Sequence, residues 1–116
     1  MENHFVKVTD PKSLERLANR SKELPVVIFK HSLTCSISAA AYEQMAEFES
    51  EVTLVEVQRA RALSEEIEQR LGVPHESPQV IVLRDGEAVW NASHFRITAD
   101  AVAEAVRRAG GNGQKQ

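Results

Sequence analysis

The 116-residue chain holds a single cysteine, Cys35, together with one tryptophan, one tyrosine and four phenylalanines. One thiol cannot close an internal disulfide, so a hydrophobic core must hold the fold, and a reducing cytoplasm is the simplest setting. Long hydrophobic runs are missing too: Val26 to Phe29 is as long as they get, far short of a bilayer span. The opening Met1-Glu2-Asn3-His4 has neither a basic nor an apolar stretch, so no secretory leader is expected. Positive charge is not in excess. The net charge of −3 gives no electrostatic footprint for nucleic acid. What remains, 42% hydrophobic and 27% charged residues, is the balance of one globular domain with one core. That domain is expected over residues 1–109, with 110–116 a disordered C-terminal tail.

Periodicity divides the chain into alternating strands and helices. Phe5 to Thr9 alternates apolar and polar residues, as a half-buried strand does. Asp10-Pro11 reads as the cap and first residue of a helix that buries Leu14, Leu17 and Ala18 and stops before Pro25. Pro25 to Lys30 is apolar almost throughout, which suits a central parallel strand covered on both faces. After Cys35, the spacing of Ile37, Ala40, Ala41, Met45 and Phe48 predicts the buried side of a second helix. Thr53 to Gln58 is the next strand, followed by a helix near Ala62 to Leu71 that Gly72 ends, with Pro74 as a stop. Gln79 to Arg84 and Glu87 to Ala92 flank Asp85-Gly86, a strong hairpin signal. Thr98 caps a last helix with Val102, Ala105, Val106 and Ala109 facing inward. The order β-α-β-α-β-α-β-β-α predicts an α/β fold of thioredoxin-like type, a central mixed sheet flanked by helices.

Cys35 stands where the apolar strand hands over to a helix. A helix start offers unpaired N–H groups and the positive end of the dipole, both of which favour a thiolate. Three residues on, where a dithiol redox site carries its second cysteine, the chain has Ser38. The site therefore reads as a one-thiol variant of Cys-x-x-Cys, with Thr34, Ser36 and Ser38 as a polar rim around the sulfur.

The runs Thr34-Cys35-Ser36-Ile37-Ser38, Val57-Gln58 with Arg61-Ala62-Leu63-Ser64, Gly72-Val73-Pro74-His75-Glu76-Ser77-Pro78-Gln79 and Ser93-His94-Phe95-Arg96-Ile97-Thr98 resemble the monothiol bacilliredoxins. The likeness runs from about Phe5 to Ala109. It implies that Pro78 is a cis-proline facing Cys35, with Ser77 and Pro78 forming the wall that holds a bound partner. It implies a reaction as well. Cys35 would take bacillithiol from a mixed disulfide on a client protein, and a second low-molecular-weight thiol would then clear it, since Ser38 cannot. On this reading no cofactor is tightly bound, bacillithiol is the thiol co-substrate, the partners are S-bacillithiolated proteins, and neither nucleic acid nor membrane is involved. One position departs from the family's Thr-Cys-Pro-Ile-Ser: Ser36 replaces the proline, restoring an N–H and adding a hydroxyl beside the sulfur.

Other residues invite chemistry less strongly. His31, His75 and His94 have no spacing that sets a ligand pair on one helix face, so no metal site is assigned and ordinary hydrogen-bonding roles are expected. Trp90 reads as core or edge-strand packing. Arg59 and Arg61 read as solvated surface, although a malate-bearing thiol such as bacillithiol suits a nearby guanidinium. Two other functions fit a lone Cys-x-x-Ser: an iron–sulfur cluster carrier of the monothiol-glutaredoxin kind, whose usual Cys-Gly-Phe-Ser is absent, and a non-catalytic binding module.

Overall fold

A computed structural model describes residues 4–110. Five strands form one sheet in the order β1-β3-β2-β4-β5, where β1 is Phe5–Lys7, β2 Val26–His31, β3 Val52–Glu56, β4 Gln79–Arg84 and β5 Glu87–Ser93. The first three run parallel, and β4 is antiparallel to both β2 and β5. The helices are α1 (Ser13–Arg20), α2 (Ser36–Glu47), α3 (Arg61–Leu71) and α4 (Ala99–Arg108), with a 3-10 turn at His94–Arg96 before the last. This is the mixed, helix-flanked sheet expected from the sequence. Of the expected tail only Gly110 is described; 111–116 lie outside the described residues.

Each central strand buries both faces, which explains its unbroken apolar run. Val27 and Phe29 pack with Met45 and Phe48 near α2 and with Val102 and Ala105 of α4. Val26 and Ile28 point the other way, onto Leu14 and Leu17 of α1 and Leu63 and Ile67 of α3. Trp90 packs half-buried against the first of these clusters. The Asp85-Gly86 turn has both residues at positive φ, 56° and 79°, the geometry a two-residue hairpin needs.

Three local expectations are corrected. Helix α1 begins at Ser13 rather than at Pro11; Pro11 and Lys12 form a turn, with Asp10 Oδ1 accepting the Lys12 N–H at 2.9 Å. The buried side of α2 is Ser38, Ala41 and Met45, while Ala40 is exposed and Ile37 half-buried. Alanines are too small to mark a face, and a buried serine broke the apolar pattern. In α4 only Val102 and Ala105 are fully inside; Val106 and Ala109 are half-buried at the edge of the core.

Candidate active site

The sheet brings two distant segments to one end. Lys30, near the end of β2, pairs in register with Gln79, at the start of β4. The loop that follows β2 carries Cys35, and the loop that precedes β4 carries Ser77 and Pro78, so both leave the same edge of the sheet. The Ser77–Pro78 peptide is cis. Beyond it, the Pro78 carbonyl accepts the N–H of His94 at 3.1 Å. His94 has φ of 57°, and its Nε2 lies 3.5 Å from Glu76 Oε1, which adds the turn before α4 to the same edge.

Cys35 is half-buried and is itself the N-cap of α2, in extended conformation, its carbonyl accepting the Ala39 N–H at 3.0 Å. No side chain caps this helix start, and its first turn holds no acidic residue. The N–H groups of the first turn and the positive helix end are therefore left to whatever anion forms beside the sulfur. Ser36 is exposed as the first helical residue, and Thr34 is exposed just before the cysteine. Ser38 does not sit on the rim where the sequence suggested. It is fully buried, because the third helical residue turns back beneath the loop, where its Oγ accepts the Ser32 N–H at 2.8 Å and lies 2.7 Å from His31 Nδ1. Ser77 Oγ is buried and has no hydrogen-bond partner among the described residues.

Side chains not singled out as site residues from the sequence hold this arrangement. Gln58 Oε1 accepts the Leu33 N–H at 3.0 Å, and Gln58 Nε2 donates to Ser32 Oγ at 2.9 Å and more weakly to Thr34 Oγ1 at 3.4 Å. One amide thus fixes three consecutive residues of the loop before Cys35. Its presence in a family-like run was the only signal. Beneath the site, Lys30 is wholly buried and donates to Gln79 Oε1 at 3.1 Å, while Gln79 Nε2 donates to the Pro74 carbonyl at 3.0 Å. That chain links β2 to the loop carrying the cis-proline.

Burial governs the charges here. It pulls the Lys30 ammonium down to about 8, against the opposing pull of Glu68 and Glu76. Burial likewise holds His31 below the usual histidine value, opposed by Glu56. His75 is lowered by burial and by the Lys30 charge, with Glu68 and Glu76 opposing.

Two open pockets adjoin these loops. One, of about 300 Å³, is lined by Cys35 with His31, Ser32, Tyr42 and others. The second, of about 340 Å³, lies along α3 and is lined by Gln58, Arg61, Ser64, Glu68 and His75. Arg61 thus faces a pocket, whereas Arg59 pairs with Glu56 at 3.7 Å. Among the described residues, no three His, Cys, Asp or Glu side chains gather as metal ligands.

A half-buried cysteine on an open helix start, at the same end of the sheet as a cis-proline, is suited to attacking a disulfide. Comparison with known proteins agrees. A family profile described as monothiol bacilliredoxin BrxC matches residues 6–102. A solved structure described as a candidate oxidoreductase with a thioredoxin fold is 35% identical, with a TM-score of 0.80, over 87% of this chain and 92% of that one. Thioredoxin from Fasciola hepatica has a TM-score of 0.70 at 17% identity, over 94% of this chain and 99% of that one. Thioredoxin f from spinach chloroplast, in its short form, has a TM-score of 0.66 at 18% identity, over 90% and 92%. At those last two identities the likeness is one of fold alone.

Proposed function

The chain belongs to the monothiol bacilliredoxin family, a thioredoxin-fold group with a thiol redox role, and from that membership we propose that it removes bacillithiol from mixed disulfides on client proteins. The Cys35 thiolate attacks the bacillithiol sulfur. A new disulfide forms between them, the old one breaks, and its electron pair leaves on the client's sulfur as a thiolate. Cys35 then carries the cap. It is the chain's only cysteine, so a second low-molecular-weight thiolate from solution must attack the bacillithiol sulfur, forming a small-molecule disulfide with it while Cys35 leaves as thiolate and the enzyme is regenerated. The co-substrate is thus bacillithiol, and the cycle calls for no tightly bound cofactor and takes place in the cytoplasm.

The observation that carries this reading is the placement of that lone thiol: an uncapped helix start, with a buried serine where a resolving thiol would stand. Thr34 and Ser36 flank the sulfur on the surface, and Ser77 with Pro78 supplies the wall against which a capped client lies. Intact mass spectrometry of the protein mixed with a bacillithiol-capped client tests the reading, with Cys35→Ala alongside. The expected result is transfer of the cap to the wild type alone and its removal by added free thiol. Retention of the cap on the client in both samples would overturn it.

A further inference from the structure

Ser38 poses a counting problem. Its hydroxyl is fully buried, carries one proton and can accept two more. The Ser32 N–H fills one acceptor position at 2.8 Å. The hydroxyl proton needs an acceptor of its own, because a buried donor left unmet keeps its full desolvation penalty. Among the described residues, the acceptor within reach is His31 Nδ1, at 2.7 Å. Nδ1 can accept only when it carries no proton, so the count assigns the ring its neutral form with the proton on Nε2.

The ring is also held in place. Its centroid lies 5.4 Å from that of Phe29 and 5.0 Å from that of Tyr42, and Tyr42 is backed by Phe5 at 4.7 Å. Nδ1 is turned to the buried serine, while the half-buried ring lines the same open pocket as Cys35. Nε2 has no hydrogen-bond partner among the described residues and is not among their buried unsatisfied atoms. The ring that lines the pocket of the chain's only thiol thus keeps an N–H that no described residue engages.

We infer that Ser38 and His31 act as one unit: the serine hydroxyl fixes the tautomer, and the His31 Nε2–H donates to the sulfur anion in the Cys35 pocket. The inference rests on the exchange reaction proposed above. In that exchange negative charge moves from the attacking sulfur to the departing one, and a neutral donor stabilises it without giving up its proton. Ser38 thus contributes to the reaction even though it cannot resolve the mixed disulfide. The groups around the ring set its pH range. Glu56 of β3 favours the imidazolium, Tyr42 and Glu43 of α2 stand at the pocket, and the serine opposes protonation, because a charged ring must donate at Nδ1.

The test combines ring nitrogen NMR with kinetics on the full chain. In the wild type, ¹⁵N shifts from about pH 6.5 to 8 should show Nε2 protonated and Nδ1 bare; a proton on Nδ1 would overturn the inference. Iodoacetamide alkylation of Cys35 and cap transfer from a bacillithiol-capped peptide are then compared in His31→Leu and His31→Gln. The expected loss in His31→Leu is about tenfold in both rates, with partial recovery in His31→Gln, whose amide can donate. In Ser38→Ala, the His31 titration seen by NMR should move up. Equal rates in wild type and His31→Leu, each checked as folded by its thermal transition, would also overturn the inference. Alkylation involves no bacillithiol, so a protein that never takes the cap yet shows the His31 effect would sink the proposed substrate and leave this unit standing.

Discussion

Lys30 carries its ammonium in the interior, where charge is costly. It is wholly buried, has three protons to donate and finds one acceptor among the described residues, the Gln79 side chain. Among the described residues no carboxylate pairs with it, so burial prevails and its folded value falls to about 8, against about 10.4 in an unfolded chain. Between those values the unfolded chain holds a proton that the folded chain has released, so this residue favours folding more as pH rises. Below about pH 8 the full penalty applies. Lys30→Met keeps the volume and removes the charge. It should stabilise the protein at pH 7, and that gain should shrink by about 2 kcal/mol at pH 10. Urea unfolding of both proteins at the two pH values measures it; an equal effect at both would mean that the ammonium is not suppressed. The buried lysine ties β2 to the cis-proline loop through Gln79 and Pro74, which gives the penalty a structural return.

At the scale of elements, the helix ends separate stability from chemistry. Helix α4 begins conventionally, with Thr98 Oγ1 accepting the Ala101 N–H at 3.1 Å. Helix α2 begins with a cysteine that caps nothing. Helices α1 and α3 also begin without a side-chain cap, and what sets α2 apart is that its open start carries the thiol. Helix α3 stops at Gly72, whose φ of 70° lies in the left-handed region and whose N–H reaches the Glu68 carbonyl at 3.0 Å. A Cβ there would meet nothing within 4 Å, so the cost of substitution is conformational. Gly72→Ala should therefore cost about 1 kcal/mol in urea unfolding, and Gly72→Asn less, since asparagine tolerates that region. Loss of several kcal/mol with alanine would mean that a contact, not the backbone angle, is at stake. Because α3 leads into the loop bearing Ser77 and Pro78, this stop also sets where that loop begins.

The described residues form a sheet with helices on both faces, and the central strands contribute side chains to both cores. Phe29 is fully buried in the core on the α2 and α4 side, and its ring lies against His31. Phe29→Ala should cost about 3–5 kcal/mol, a large share of the roughly 5–15 kcal/mol typical of a domain. The urea midpoint should fall with little change in slope, and His31 should lose its fixed NMR signals in the same variant. A loss below about 1 kcal/mol would mean that the surrounding core collapses into the space. The site depends on this scale more than on any other, because the β2–β4 pairing joins the thiol loop to the cis-proline loop.

Much of this was written locally in the chain. The alternation of strands and helices, the Asp85-Gly86 turn, the Gly72 stop, the Thr98 cap and the seat of Cys35 at a helix start all follow from residues close in sequence. Their signals are periodicity, capping and backbone freedom, which act over a turn or a strand. Tertiary structure alone decided which side of α2 is buried, because Ala40 and Ala41 look alike until a sheet covers one of them. It also decided that Ser38 turns inward to His31, that Lys30 meets Gln79 and that Gln58 clamps the loop before Cys35. Such contacts depend on strand register and on the direction each side chain takes once elements pack, and no local pattern encodes either.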